Sequence, residues 1–144
     1  MKKIMTMLVV LTLSITACAD RHQTIGVSDL PAQAQAFIQK HFNISDIAYI
    51  ERDRDGIHYE YNVYLKNATE IDFDHQGNLQ SIDCKRTSVP EGIVPEAIIS
   101  FISSHYPNLF VVEYIIDYRH QTVELNNEIE LIFDREGHFI KMDD

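Results

Sequence analysis

An internal repeat constrains this 144-residue chain more than any other feature of its sequence. Residues match at an offset of 64 early in each half and, after a four-residue deletion, at an offset of 60. The matched segments are Leu30-Pro31 with Val94-Pro95, Phe37 with Phe101, His41-Phe42 with His105-Tyr106, Tyr59-Glu60 with Val123-Glu124, Phe73-Asp74-His75-Gln76-Gly77 with Phe133-Asp134-Arg135-Glu136-Gly137, and Leu79 and Ile82 with Phe139 and Met142. This ordered match predicts two copies of one helix-then-strands unit, repeats 30–85 and 86–144.

Each repeat is predicted to open with a helix that buries one face. A proline stands at the first helical turn, where its missing N–H costs nothing. Apolar residues then recur at helical spacing. They are Ala34, Phe37, Ile38 and Phe42 in the first repeat, and Ile98, Phe101, Ile102 and Tyr106 in the second.

Alternating apolar and polar runs follow each helix and predict strands. The runs are 48–53, 57–65, 69–74 and 79–84, then 111–118, 121–126, 128–134 and 138–142. Segments 53–56, 74–77 and 134–137 hold the Asp and Gly residues that tight hairpin turns require, so neighbouring strands are antiparallel. The link 85–94 is too short to separate two domains. The predicted fold is therefore α+β, one domain over 30–144 whose single sheet is covered on one face by two helices.

Strand alternation assigns residues to the two faces of this sheet. The predicted buried face consists of Tyr59, Tyr61, Val63, Leu65, Ile71, Phe73, Val123, Leu125, Ile129, Leu131 and Phe133. The other face is predicted to be wet and acidic. Its candidate partner-binding residues are Glu60, Tyr64, Glu70, Asp72, Glu124, Glu128 and Glu130. Tyr49, Tyr64, Tyr114 and Tyr118 are expected to be partly exposed, either as part of a recognition surface or because strands favour tyrosine.

The first residues predict an export signal. A cationic start and an apolar run over 4–15 are typical of a signal peptide, here residues 1–17, and are too short for a membrane span. Ile15-Thr16-Ala17-Cys18 resembles a bacterial lipobox, with Cys18 as the lipidated residue and 18–29 as a tether. The alternative is cleavage before Asp20, which would release a soluble periplasmic or secreted protein. The first alternative predicts an envelope lipoprotein that contacts the membrane only through its anchor.

The charge balance excludes some partners. Twelve basic residues face 22 acidic ones, and loss of Lys2 and Lys3 would bring the net charge from −10 to near −12. Nucleic acid and anionic lipid headgroups repel such a surface. The expected partner is another envelope protein, with basic or neutral chemistry at the contact.

The repeated unit resembles a known family. A helix introduced by Leu30-Pro31 and ending near His41-Phe42, then strands and a hairpin over 73–79, all present twice, is similar to the β-lactamase-inhibitor-like, PepSY-like lipoproteins of gut Bacteroidetes. The resemblance covers about 30–144. It implies tandem helix-and-strand repeats shaped like a β-lactamase inhibitor, and a module that restrains a peptidase or other envelope enzyme. No specific inhibitory residue carries over to this sequence.

The chain lacks the residue patterns of common catalytic and cofactor-binding sites. The sequence contains no nucleophile elbow, phosphate-binding glycine loop or recognisable Ser/His/Asp set. The seven histidines lack zinc-site spacing, so no metal or cofactor is predicted, and Asp53 to Gly56 is interpreted as a turn rather than a calcium loop. Cys84 is expected to be a half-buried thiol, with an intermolecular disulfide as the alternative.

These observations predict a non-enzymatic envelope binding module that acts, as an inhibitor-like protein, through its open sheet face. Two alternatives stay open. One is a structural accessory subunit held by an exposed strand edge, and the other is a weak cation binder using the strand carboxylates. The sequence does not determine the oligomeric state.

Overall fold

The computed structural model describes residues 22–143. The predicted signal peptide, Cys18 and the first tether residues lie outside the described residues. The strands are β1 (His22–Ile25), β2 (Ile47–Asp55), β3 (His58–Leu65), β4 (Glu70–Phe73), β5 (Leu79–Asp83), β6 (Val111–Ile116), β7 (His120–Leu125), β8 (Glu130–Asp134) and β9 (Phe139–Asp143), and the helices are α1 (Ala32–His41) and α2 (Glu96–His105). No helix among the described residues is both long and apolar enough to cross a membrane.

The nine strands form one sheet in sequence order, each antiparallel to the next. Both helices pack on the same face, which confirms the predicted α+β fold. Phe37 of α1 meets Phe73 edge to face at 5.5 Å between ring centroids, and Phe101 of α2 meets Phe133 in the same way at 5.4 Å. The two helix–sheet contacts repeat because the sequence repeats.

The core lies between the helices and the sheet. Its fully buried side chains include Ile38, Ile50, Val63, Ile71, Phe73, Ile82, Ile98, Val123, Leu125, Leu131 and Phe133. Most of them come from the alternating positions that the sequence assigned to the buried face. Two predicted members differ: Tyr59 is 41% exposed near the end of the β2–β3 hairpin, and Ile129 is only partly buried, just before β8.

The hairpin glycines set the helices on the sheet. Gly77 has φ +87°, and a Cβ built there would lie 2.8 Å from Pro31 Cβ and 2.9 Å from Ala34 N. Gly137, its repeat equivalent, has φ +88° and would place a Cβ 3.0 Å from Ala97 Cβ. Each glycine therefore allows a hairpin to contact the first turn of a helix closely.

Strand β1 corrects one expectation. Residues 22–25 fall within the predicted tether but pair with β2, where Ile25 lies opposite Ile50. The segment is only four residues long and three of them are exposed. It becomes a strand because β2 offers an unpaired edge, which the local sequence does not reveal.

The repeat alignment also needs a correction in the first hairpin. Leu65 donates its N–H to Thr69 O, and Leu125 donates to Ile129 O in the same way, so β3 and β7 correspond at an offset of 60. The four-residue deletion therefore lies between β2 and β3. Glu60 corresponds to His120, and Glu124 corresponds to Tyr64 rather than to Glu60.

A bulge in β6 explains why Tyr114 is buried rather than partly exposed. The pairing of β6 with β7 shifts between Val111 and Glu113, so the alternation changes phase and both Val111 and Val112 are buried. Tyr114 then points into the core with 2% exposure. Its hydroxyl donates to Gln121 Oε1 at 2.5 Å, which satisfies the buried polar atom.

Candidate functional site: the open acidic face of the sheet

Six carboxylates form one row across the face that the helices leave open. Consecutive members lie directly opposite each other on strands β4 to β9, and we call this row the acidic ladder. Its members in order are Glu70, Asp83, Glu113, Glu124, Glu130 and Asp143. Directly opposite Cβ atoms in an antiparallel sheet are about 4.5–5.5 Å apart, so every neighbouring pair in the row is a like-charge contact.

Two stacked tyrosines extend the same row onto β3 and β2. Tyr64 lies opposite Glu70, and Tyr49 lies opposite Tyr64. Their rings stack at 4.5 Å between centroids with an interplanar angle of 19°. The open face therefore presents an aromatic pair at one end and carboxylates along the rest.

The repeat explains this arrangement. Tyr49, Tyr64, Glu70 and Asp83 of the first unit correspond to Glu113, Glu124, Glu130 and Asp143 of the second. The ladder is continuous because β5 of the first unit pairs with β6 of the second. The two units thus contribute the same row, with the aromatic pair of one replaced by a carboxylate pair in the other.

Lysines neutralise only the ends of the ladder. Lys85 Nζ lies 3.2 Å from Glu70 Oε1 and also contacts Asp83, while Lys141 Nζ lies 2.6 Å from Asp143 Oδ2. Among residues 22–143, no basic side chain forms an ion pair with the three central members, which are Glu113, Glu124 and Glu130. Within residues 22–143, the middle of the row therefore carries negative charge that no ion pair neutralises.

Repulsion between neighbouring carboxylates affects the pKa of Glu113. Partial burial raises the pKa of its carboxyl above the ordinary 4.5, and the charges of Asp83, Glu124 and Glu130 raise it further. Burial likewise raises the pKa of Asp72 in the neighbouring row, although Ser81 Oγ donates a hydrogen bond to it at 2.6 Å. A positive group placed beside these carboxylates would stabilise their charged forms.

Six of the seven predicted face residues lie on the open side of a strand. They are Glu60, Tyr64, Glu70, Asp72, Glu124 and Glu130. Glu128 does not, because β8 begins at Glu130 and Glu128 lies in the preceding turn with φ +70°. Tyr118, predicted to be partly exposed, is 91% exposed in the turn between β6 and β7.

Sequence reasoning missed half of the ladder. Asp83, Glu113 and Asp143 each look like an isolated strand acid, and only the pairing of strands places them beside the others. Glu113 was also missed because of the β6 bulge, since strict alternation from Val111 would place Glu113 on the buried face. Register between strands is the information that a single sequence lacks.

Two smaller groups combine histidine with carboxylates at the margins of the sheet. His22, Glu51 and Asp53 can each bring one ligand atom within 4.8 Å of the others, and so can Asp134, Glu136 and His138. Asp134 already accepts N–H bonds from the backbones of Glu136 and His138, which accounts for its local role as a turn residue. Both groups are capable of weak metal ligation, but the first has the contacts of an ordinary cross-strand pair between β1 and β2, and the second has those of a hairpin turn.

Cys84 is more deeply buried than the half-buried thiol that the sequence predicts. Its side chain is buried at 4% exposure directly after β5, and burial raises the pKa of the thiol. A neutral, enclosed thiol is a poor partner for disulfide exchange. The structure therefore supports the expectation of a free thiol over an intermolecular bridge.

Most of this chain is similar to a known protein family. A family model described as "Putative beta-lactamase-inhibitor-like, PepSY-like" matches residues 16–60 and 59–141. No curated protein matches the chain.

Three solved structures from Bacteroides are similar over nearly their whole length. One is described as a "putative calcium-regulated periplasmic protein" from Bacteroides thetaiotaomicron, with 35% identity, a TM-score of 0.81, and coverage of 88% of this chain and 99% of that one. Two come from Bacteroides vulgatus, each 31% identical and 99% covered. One is a "putative periplasmic protein" of the DUF2874 family, with a TM-score of 0.82 over 88% of this chain. The other is a "putative periplasmic protein of unknown function", with a TM-score of 0.78 over 85%.

The periplasmic description of all three relatives agrees with the prediction that this chain is exported. The signal peptide and the lipid anchor at Cys18 stay predictions.

Proposed function

Because this chain belongs to the family described as beta-lactamase-inhibitor-like and PepSY-like, we propose that it is a non-enzymatic binding module of the bacterial periplasm. Its binding surface is the open face of the sheet, and its partner presents a basic surface. The acidic ladder is the observation that carries this proposal. The inhibitor-like family description supports an envelope enzyme, such as a peptidase, as the class of partner.

The ladder favours a cationic partner for an energetic reason. Directly opposed like charges destabilise a sheet, by roughly 0.2–1 kcal/mol for each pair. Lys or Arg side chains from a partner would convert this repulsion into attraction at the moment of binding. Complementary charge would also raise the association rate and select against acidic competitors.

The stacked pair Tyr49 and Tyr64 supplies a second kind of contact. Tyrosine is enriched at protein interfaces because it offers apolar area and a hydroxyl with few rotatable bonds. A guanidinium on the exposed ring face would add a cation–π contact. A basic segment lying along the row would therefore meet aromatic rings at one end and carboxylates beyond them.

Affinity capture with two charge-matched variants tests the proposal. The ladder variant carries Glu113→Gln, Glu124→Gln and Glu130→Gln. The control variant carries Asp46→Asn, Glu91→Gln and Glu96→Gln, at exposed positions away from the open face. Both remove three negative charges, so nonspecific charge effects are equal.

A soluble form over 21–144 and both variants would be used as baits in an envelope extract. The proposal requires a partner captured by the unmodified chain and the control variant but lost with the folded ladder variant. Equal capture by all three would contradict it. In that case, loss of capture after proline substitution in an edge strand would favour the accessory-subunit alternative.

Calcium binding is the second candidate function. The relative described as calcium-regulated is 35% identical to this chain, and the central ladder carboxylates have the hard oxygen chemistry that Ca²⁺ prefers. Bound calcium would also lower the negative charge of the face. Calcium would then weaken the capture of a basic partner, which would make the two candidates parts of one regulated function.

Thermal unfolding with added CaCl₂ tests this candidate. A ligand that binds the folded state raises the melting temperature by mass action. The rise should be present in the unmodified chain and the control variant, absent from the ladder variant, and larger than with NaCl at equal ionic strength. An equal rise in all three proteins would show general screening and would reject a calcium site on the ladder.

A further inference from the structure

Strand β9 ends the sheet with exposed apolar side chains. Phe139 is 41% exposed and Met142 is 45% exposed. Their repeat equivalents on β5 are Leu79 and Ile82, and Ile82 is fully buried. The difference arises because β6 covers the far edge of β5, whereas no strand among residues 22–143 pairs with the far edge of β9.

The β5–β6 junction shows how this edge accepts a strand. It joins two copies of the same unit, with Ser81 opposite Ile115, Ile82 opposite Tyr114 and Asp83 opposite Glu113. The equivalents of β5 and β6 are β9 and β2. Applied between two molecules, this register sets Lys141 opposite Glu51, Met142 opposite Ile50, and Asp143 opposite Tyr49.

The side chains that this register places opposite each other are chemically complementary. Lys141 and Glu51 are opposite charges on the open face, where such cross-strand pairs are favourable. Met142 and Ile50 are both apolar and lie on the helix side. The ladder of one molecule would then continue from Asp143 into the stacked pair Tyr49 and Tyr64 of the next.

Strand β1 occupies the same position on β2 in the isolated molecule. Ile25 lies opposite Ile50, and Thr24 lies opposite Glu51. At the β5–β6 junction, the repeat equivalents of Ile50 and Glu51 are paired with Ile82 and Ser81 in the same way. Residues 22–24 are exposed, so β1 buries little apolar surface. A four-residue strand with so few buried contacts is easily exchanged for a better one.

We propose that β9 binds the β2 edge of a second copy in the register of the β5–β6 junction, displacing β1 of that copy. Lysines and bulges often protect edge strands from such pairing. Strand β9 has such a bulge, where its pairing with β8 shifts between Ile132 and Phe133. The protection is incomplete, because the pairing of β5 with β4 shifts at the equivalent position, between Asp72 and Phe73, and β5 still pairs with β6. The contact is head to tail, so it can extend beyond two molecules. It uses an edge of the sheet and is independent of the proposed function of the open face.

Disulfide trapping tests the register. One protein carries Lys141→Cys and a second, distinguishable by a mass tag, carries Glu51→Cys, both with Cys84→Ser. Directly opposite strand residues have Cα separations of about 4.5–5.5 Å, which suits a disulfide. After mild oxidation, the mixed dimer should exceed either homodimer severalfold. The register control pairs Lys141→Cys with Tyr49→Cys, which the proposal places two residues away, and should give severalfold less product.

A variant in which β1 pairs less stably with β2 provides a second test. Thr24→Pro in the Glu51→Cys protein should raise the yield of mixed dimer severalfold, because β1 competes for the same edge. Melting curves would establish that each variant is folded. The proposal is overturned if the proteins stay monomeric, if homodimers through Lys141→Cys predominate, if both registers give equal yield, or if Thr24→Pro leaves the yield unchanged.

Discussion

At the scale of single residues, burial and cross-strand neighbours decide what each polar group on the sheet can do. Glu113 and Tyr114 are adjacent in sequence, yet one joins the open acidic row and the other is enclosed in the core. The bulge at the start of β6 sets which residue faces which side. The chemistry of both faces therefore depends on one local irregularity.

Replacing Glu113 with Gln should stabilise the protein at neutral pH. The folded-state pKa of Glu113 lies above its ordinary 4.5, so its ionised form opposes folding. That cost is present at neutral pH and disappears as pH falls through the folded-state pKa. Because Glu113 lies opposite both Asp83 and Glu124, we expect Glu113→Gln to gain roughly 0.2–1 kcal/mol for each of these two like-charge pairs.

Urea unfolding at pH 7 and at successively lower pH would measure this gain. It should shrink as pH falls toward 4.5, while Asp46→Asn, which removes one exposed charge elsewhere, should show little change at either pH. A gain that persisted unchanged in acid would mean that repulsion within the ladder is not its cause.

Tyr114 should make the protein sensitive to alkali. Burial raises the pKa of its phenol from 10.0 to about 12. The unfolded chain therefore ionises first, and stability falls as pH rises from 10 toward 12. Tyr114→Phe should cost about 1 kcal/mol at pH 7 through its lost hydrogen bond to Gln121, and this deficit should diminish above pH 10.

Stability measured against pH for Tyr114→Phe and for Tyr118→Phe would test this prediction. Tyr118 is 91% exposed, so its removal should leave the alkaline profile unchanged. Identical profiles for the two variants would argue against a buried, late-titrating phenol.

At the scale of elements, the repeat accounts for most of what could be predicted from sequence. Both helices and eight of the nine strands follow from helical spacing and alternation. Strand β1 could not be predicted, because four residues are too few to show an alternating pattern. Its pairing also depends on the edge of β2, which begins 25 residues further along the sequence. Glu128 was wrongly assigned because Glu128 and Glu130 alternate like strand residues, whereas the turn at φ +70° repeats the one at Ala68.

The hairpin after β4 should tolerate no side chain at Gly77. An added Cβ would meet the backbone of α1 at 2.9 Å, and φ is +87°. Gly56 also has a positive φ but nothing within 4 Å of its Cβ position. Gly56→Ala should therefore cost about 1 kcal/mol from backbone strain alone, and Gly77→Ala roughly 2–4 kcal/mol because α1 must also shift. Chemical denaturation of both variants would measure the difference, and equal costs would contradict the close approach of hairpin and helix.

At the scale of the whole molecule, a net charge of −10 is distributed unevenly. The helix face carries the core, and the open face carries a continuous row of carboxylates that, within residues 22–143, forms ion pairs with lysines only at its ends. Individual strands predicted an acidic face, but the continuity of the row depends on the β5–β6 junction between repeats. Long-range pairing of this kind is fixed by the whole fold and not by any segment.

Salt should stabilise the unmodified chain more than the ladder variant. Raising ionic strength from about 0.05 to about 0.5 M shortens the screening length severalfold and weakens repulsion along the open row. Calorimetry in NaCl should show a larger rise in melting temperature for the unmodified chain than for the ladder variant, with the control variant close to the unmodified chain. If the rise in the control variant were reduced as much as that in the ladder variant, the effect would belong to net charge and not to the ladder.

Carboxylate footprinting tests the central claim, that the open acidic face is the binding surface, most directly. Carboxyl groups of the 21–144 protein would be labelled by carbodiimide coupling, alone and in complex with the partner captured from envelope extract, and labelling would be read by mass spectrometry. Labelling of Glu124, Glu130 and Glu70 should fall sharply in the complex, while that of Asp46 and Glu91 should be unchanged. Unchanged labelling of the ladder in a complex that is otherwise intact would place the partner elsewhere and contradict the claim.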